Sequence, residues 1–178
     1  MRRPWPEVQL AWIAREHSVA RWLHRAASLR WVVPLLTLVS RLGDGWIWFL
    51  AVVAVPWLAG AAGTACAVRM LAVTPVNLLI YTIVKRWIAR PRPARACPGI
   101  RECTRPLDEF SFPSGHTLHA VACSRILGAY FPAWGPLLWS FTALVALSRV
   151  VLGLHYPSDV LVAALIGAAT AGASFSLF

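Results

Sequence analysis

Charge is what this sequence has least of, and acid least of all: 7 Asp and Glu stand among 178 residues, against 17 Lys and Arg. Only 13% of the chain is charged and 58% is hydrophobic, whereas a soluble domain averages about 25% charged and about 45–50% apolar residues. The apolar excess is too large for one globular core. It is laid down in long runs, which excludes an ordinary soluble domain and points to membrane spans. Acids are also too few and scattered to suggest a metal site; Asp108 and Glu109 stand in a loop without a metal-binding partner. They read as partners of loop arginines or as shapers of an entrance. The four cysteines follow no zinc spacing. Cys66 and Cys123 lie inside apolar runs as inert packing residues. Cys97 and Cys103 share one polar loop with five residues between them, and both a disulfide and two free thiols stay open. Internal repeats and a second domain are missing. So is a cleavable leader, because residues 1–30 are Arg-rich without a continuous apolar core.

What is present reads as an all-α membrane protein. Residues 1–30 set Val8, Leu10, Trp12, Val19, Trp22 and Leu23 among arginines, the pattern of an amphipathic helix lying at a membrane surface. Residues 31–39 are apolar but too few to span, and Ser40-Arg41-Leu42-Gly43-Asp44-Gly45 breaks the run. Five apolar segments follow: Trp46–Ala62, Thr64–Val84, His116–Phe131, Trp134–Val151 and Val160–Phe178. A spanning helix needs roughly 17–25 residues, so the third is marginal. Gly60-Ala61-Ala62-Gly63 and Phe131-Pro132-Ala133-Trp134 read as tight turns between antiparallel neighbours. The expectation is one domain over 1–178: an interfacial N-terminal segment, 1–45, and a multi-pass bundle of five or six spans, 46–178. The long polar stretch inside it is Lys85–Pro113. Threading the spans back and forth brings Lys85, Ser114 and Arg149 to one membrane face. The net charge of +10 suits anionic headgroups or a phosphate-bearing substrate better than nucleic acid.

Three clusters converge at that face: Lys85-Arg86-Trp87-Ile88-Ala89-Arg90-Pro91-Arg92-Pro93, then Pro113-Ser114-Gly115-His116, then Ser148-Arg149 followed after five residues by His155-Tyr156-Pro157-Ser158-Asp159. In order and spacing they resemble the three signature motifs of the type 2 phosphatidic acid phosphatase family, membrane lipid phosphatases related to vanadium haloperoxidases. The resemblance runs from residue 85 to 159, less than half the chain. It implies an integral membrane phosphatase that removes phosphate from a lipid through a phosphohistidine, without metal or other cofactor. His155 would be the nucleophile, His116 the acid that protonates the departing oxygen, and Asp159 the carboxylate that orients His155. Lys85, Arg92, Ser114, Gly115 and Arg149 would bind the phosphate.

The residue types support that chemistry. A phosphate dianion needs cations and oriented donors around its oxygens. Lys85, Arg92 and Arg149 supply charge, and guanidinium groups bind phosphate bidentately. Ser114-Gly115-His116 opens a helix, whose unpaired N–H groups favour an anion, and Gly115 permits close backbone approach. Asp159 follows Pro157 in the first turn of the next helix, where it can bind one imidazole N–H and fix the tautomer. The ordinary role of arginines and histidines beside a membrane is headgroup contact. That reading is the expectation for Arg86, Arg90, Arg95, Arg101 and Arg105, and for His17, His24 and His119. Arg69 would snorkel to the far interface, and Arg125, deep in its helix, needs a partner the sequence does not name.

Two other readings remain open: an enzyme of the same fold acting on soluble substrates, and a non-catalytic lipid carrier or channel built on this bundle. Phosphatidic acid, phosphatidylglycerol phosphate, a polyprenyl pyrophosphate and the lipid A phosphate are all candidate substrates. The arginines before the first span place the site in the cytoplasm by the positive-inside rule. Resemblance to bacterial members instead implies an outward-facing site on the cell (inner) membrane, the side favoured here.

Overall fold

The computed structural model describes residues 7–177, with side chains from Ile13 onward. The expectations for the side chains of Val8, Leu10 and Trp12 lie outside those residues. Among the described residues every regular element is helical: α1 (Glu7–His24), a 3-10 turn (Arg25–Ser28), α2 (Val32–Leu42), α3 (Trp46–Ile88), α4 (Pro93–Ala96), α5 (Gly115–Tyr130), a 3-10 turn (Pro132–Trp134), α6 (Gly135–Val151) and α7 (Pro157–Leu177). Three stretches, Trp46–Ala96, Pro132–Val151 and Pro157–Leu177, are long and apolar enough to cross a membrane.

The first of these is two helices. Ala59 and Gly60 leave helical geometry, and Gly60 takes φ 55°, ψ −127°. Gly63 then lies so close to the Val55 carbonyl that a Cβ there would collide with it. Residues eight apart in a straight helix are about 12 Å apart, so α3 doubles back at the Gly60–Gly63 turn. Its two arms, 46–58 and 61–88, match the first two expected spans.

α5 runs through the centre and packs on α3, α6 and α7. With buried residues around its circumference, from Leu118 to Leu127, it is a core helix rather than an amphipathic one. Its closest neighbour is α7, where Ala163, Gly167 and Ala171 recur every fourth residue and are buried. Gly167 seats directly on the Leu118 carbonyl, the kind of backbone approach that small residues permit between membrane helices. Trp48, Met70, Ile126 and Val145 fill the space between the other helices. α2 packs along α6 through Val32, Leu36 and Val151. α1 rests on the site loops through Ala20, which joins Cys97, Ile100 and Tyr156, while Val19 and Trp22 stay exposed.

At the pole away from the motifs, Arg69 donates to the Tyr130 hydroxyl at 3.3 Å and to the Ser174 carbonyl. It sits over the Phe175 ring, a cation at the C-terminal end of α7 where the helix dipole favours one. Arg125 is exposed, with its guanidinium against Gly172 of α7. Cys97 and Cys103 are free thiols. They belong to different packing clusters, Cys97 with α1 and Cys103 beside α2 and α6.

Candidate active site

The motif residues meet where the helices end. Lys85 lies on the last turn of α3, which Ala89 stops with a left-handed φ of 47°. Pro93 after Arg92 favours the extended backbone seen there (φ −72°, ψ 154°). Arg92 is 1% exposed. It donates through Nη1 to the Leu154 carbonyl at 2.7 Å and through Nη2 to Asp108 Oδ1 at 2.7 Å and the Asp108 carbonyl at 2.9 Å. Lys85 Nζ donates to the same Oδ1 at 2.6 Å and to the Tyr81 hydroxyl at 3.1 Å, while Tyr81 donates to Asp108 Oδ2. Asp108 thus pairs with a loop arginine, Arg92, and with Lys85 besides. Its carboxylate bridges two of the three cations expected to bind phosphate. Burial works against that charge, but hydrogen bonds from Lys85 and Tyr81 outweigh it and hold its pKa below the ordinary 3.8. Glu109 pairs with Arg95 at 3.7 Å, as loop acids were expected to do.

The second motif caps α5. Ser114 is the N-cap, and its N–H donates to the Asp159 carbonyl at 3.2 Å. Gly115 faces Tyr81 so closely that a Cβ would lie 2.7 Å from the ring, so the glycine serves helix packing here. His116 Nε2 pairs with Asp44 Oδ1. In the sequence Asp44 reads only as part of a helix break. Its signal was an acid set between two glycines just before an apolar span, a position that is costly without a partner.

The third motif closes α6. Gly153 (φ 75°) makes the turn that lets the Leu154 and His155 N–H groups both donate to the Arg149 carbonyl at 3.0 Å. The Arg149 side chain is buried; Nη1 donates to Ser40 Oγ, and Nε has no partner among the described residues. Arg149 and His116 line one polar cavity of about 470 Å³ together with Ser40, Arg41, Asp44 and Arg105. His116 also lines a second, more apolar cavity of about 280 Å³ beside α3. A larger depression between α1 and residues 99–101 contains no motif residue.

His155 is 2% exposed and lines neither cavity. Its Nδ1–H donates to the Ser111 carbonyl at 2.5 Å, and Asp159 Oδ2 stands 3.7 Å from the same nitrogen. The expected Asp159–His155 hydrogen bond is thus replaced by one to a backbone carbonyl. The reason is local. Asp159 sits three residues past the Tyr156 N-cap and reaches back to its N–H at 2.8 Å, one half of a capping box. Its other oxygen accepts from Arg90 Nη1 at 2.7 Å. Burial pushes the His155 pKa down to about 3, with Asp159 pulling the other way and the charges of Arg149 and Arg92 adding to the fall.

Arg90 corrects another expectation. It is a structural cation rather than a headgroup contact, bonded to Asp159 and to Glu16 at 2.5 Å and stacked over Tyr156. Glu16 also accepts from the Ser158 N–H and hydroxyl, which ties α1 to the start of α7. The remaining histidines are likewise engaged within the fold. His17 stacks on Tyr156. His24 donates to the Val151 carbonyl and accepts from the Arg101 N–H. His119 lies edge-on to Trp48.

The family model of the PAP2 superfamily matches residues 67–178. Decaprenylphosphoryl-5-phosphoribose phosphatase of Mycobacterium tuberculosis is 39% identical over 95 residues, 53% of this chain and 50% of that protein. Phosphatidylglycerophosphatase B of Bacillus subtilis is 33% identical over 103 residues, 52% of this chain and 48% of that protein. The chain spans about half the length of the curated relatives it matches. Among solved structures, Aquifex aeolicus LpxE superposes with a TM-score of 0.79 at 22% identity, over 89% of this chain and 93% of that one. The transmembrane PAP2-type phosphatidylglycerolphosphate phosphatase of B. subtilis gives 0.70 at 24% identity, over 90% and 84%. These two likenesses speak for the fold.

Proposed function

The chain belongs to the PAP2 superfamily, and from that premise we propose that it is a membrane lipid phosphatase working through a phosphohistidine without metal. The observation that carries the reading is the buried charge at the motif pole. Lys85, Arg92 and Arg149 are all at least 95% buried, and Asp108 is the carboxylate bonded to any of them among the described residues. Three cations served by one carboxylate leave about two charges for a ligand, the charge of a phosphate monoester. The relatives named above are phosphatases of phosphorylated lipids, which agrees.

In the proposed reaction the phosphate displaces Asp108 and binds Lys85, Arg92, Arg149, the Ser114 side chain and the Gly115 N–H at the start of α5. His155 is neutral, and the Ser111 carbonyl holds the proton on Nδ1, so Nε2 carries the lone pair. Nε2 attacks phosphorus as the P–O bond to the lipid alcohol breaks. His116 gives its proton to the departing oxygen; Asp44 holds Nε2, which leaves Nδ1 for that transfer. Water then attacks the phosphohistidine, His116 takes a proton from it, and inorganic phosphate leaves. Asp159 keeps the segment in place through its cap and through Arg90. The substrate class includes phosphatidic acid, phosphatidylglycerol phosphate and polyprenyl pyrophosphate types. We place the site on the outer face of the cell membrane.

The test separates the histidines. General acid help is worth about 10²–10⁴-fold, and it matters most for a poor leaving group. His116→Ala should lose far more activity on a lipid phosphate than on p-nitrophenyl phosphate, and should accumulate phosphoenzyme from the latter. His155→Ala should fail on both and trap nothing. EDTA should leave wild-type turnover unchanged and vanadate should inhibit it. Phosphoenzyme formed by His155→Ala, or activity that collapses in EDTA and returns with magnesium, overturns the mechanism.

A further inference from the structure

The apolar cavity beside α3 holds an unanswered polar group. Asn77 lines it, is 2% exposed, and neither its amide nitrogen nor its oxygen has a partner among the described residues. Burying an amide without partners is strongly unfavourable, so an unpaired one in the wall of a cavity marks a place where a small shift of the side chain would let a ligand supply the missing bonds. Its polar neighbours are already engaged. Thr74 donates to the Met70 carbonyl at 2.8 Å, and His119 Nε2 is 3.7 Å from Cys123 Sγ. Leu78, Leu107 and Leu118 supply apolar lining.

The position of the cavity says which part of a ligand it meets. His116 lines both chambers, the polar one with Arg149 and the apolar one with Asn77. An acid that protonates a leaving oxygen has phosphate on one side and the leaving alcohol on the other. Asn77, Tyr81 and Lys85 recur every fourth residue on α3, and Lys85 leans back to the Tyr81 hydroxyl. One to two helical turns therefore separate Asn77 from the Lys85 ammonium, roughly 6–12 Å along the axis. At that remove a polyprenyl phosphate offers hydrocarbon alone. A glycerol or sugar alcohol offers hydroxyls or ester carbonyls.

We infer that Asn77 is a specificity residue for an oxygen-bearing leaving alcohol: it hydrogen-bonds a hydroxyl or ester carbonyl near the phosphorylated oxygen, and so selects glycerolipid or sugar-linked phosphates over polyprenyl phosphates. The inference rests on the lipid phosphatase reading above.

The experiment measures kcat/KM for phosphate release in detergent micelles from diacyl phosphatidic acid, its dialkyl ether analogue, phosphatidylglycerol phosphate and farnesyl phosphate. Wild-type enzyme is compared with Asn77→Leu, and with Asn77→Ser should the leucine variant not fold. Asn77→Leu should lose about tenfold or more on at least one of the oxygenated lipids and stay level or gain on farnesyl phosphate. The ratio within one variant does not depend on how much protein is folded, and Asn77→Ser should fall between. A loss on the diacyl lipid but not its ether analogue assigns the carbonyls; a loss confined to phosphatidylglycerol phosphate assigns the hydroxyls. An unchanged ratio, or a greater loss on farnesyl phosphate, overturns the inference while leaving the phosphatase intact. Wild-type protein that releases phosphate from none of them overturns the underlying reading instead.

Discussion

Replacing Asp108 with Asn should tighten phosphate binding while making the empty protein less stable. The Asp108 carboxylate takes charge-assisted bonds from Lys85 at 2.6 Å and Arg92 at 2.7 Å, and one from Tyr81. On the proposed function an incoming phosphate uses the same cations, so each binding event would first break these contacts. Bonds to charged groups are worth about 1.5–3 kcal/mol each net. The Asp108 side chain is 29% exposed, so solvent screens part of that, and phosphate returns most of it by taking the carboxylate's place. A residual displacement cost of about 1–2 kcal/mol corresponds to roughly five- to thirtyfold in affinity. Asp108→Asn should therefore lower the inhibition constant of inorganic phosphate or vanadate by about tenfold. It should also lower the melting temperature of the ligand-free protein, since Lys85 and Arg92 lose their counter-charge, with vanadate restoring more stability than in wild type. Inhibition titrations and thermal unfolding in detergent read both. Weaker vanadate binding by the Asn variant would show that Asp108 organises the cations for phosphate rather than competing with it, and would refute the reasoning.

Two further outcomes follow from the fold. With Cys97 and Cys103 replaced by Ala, a cysteine at exposed Glu102 should react with impermeant maleimide in intact cells; labelling only after the cells are opened would put the site in the cytoplasm. His155 is neutral when folded, with a pKa near 3 against an ordinary 6.5, so below pH 6.5 the unfolded chain binds one proton more than the native one. Its stabilising contribution is complete above pH 6.5 and falls as pH drops from there toward 3, by up to about 1.4 kcal/mol per pH unit. Denaturant unfolding of wild type and His155→Gln between pH 7 and 4.5 should show the shallower slope in the variant, and equal slopes would contradict it.

The helix order and the pole that carries the chemistry were legible in the sequence because both depend on pattern. Apolar runs fix the spans, and the Gly60–Gly63 turn gave its position through its small residues. Motif spacing chose Arg92 over Arg90, and the structure separates the two as well: Arg92 meets Lys85 at Asp108, whereas Arg90 meets Asp159 and Glu16. What escaped was the set of partners brought by the route of the loops and by the docking of α1. Ser111 and Asp44 lie in segments with no period and no motif, Glu16 lies on a helix whose pattern points to the membrane surface, and these cited contacts reach motif residues 44 or more positions away. The hydrogen bond expected from Asp159 is made by the Ser111 carbonyl, with Asp159 3.7 Å from the same nitrogen, because a capping box holds the carboxylate, a preference visible in Tyr156-Pro157-Ser158-Asp159 once the helix start is placed at Pro157.

The scarcity of acid acquires a reason at this point. Each acid that pairs in the described structure does so with a cation or a histidine at the motif pole: Glu16 and Asp159 with Arg90, Asp44 with His116, Asp108 with Lys85 and Arg92, Glu109 with Arg95. In an apolar bundle a carboxylate is tolerated where an opposite charge answers it, so acids gather where the buried cations are. Arg149 stands apart from this pairing. It is buried, it is bonded to a serine hydroxyl rather than a carboxylate, and its Nε has no partner among the described residues. In that same cavity the Asp44 carboxylate is taken by His116, so on the proposed function a substrate phosphate entering beside His116 is the anion that would bond Arg149 directly.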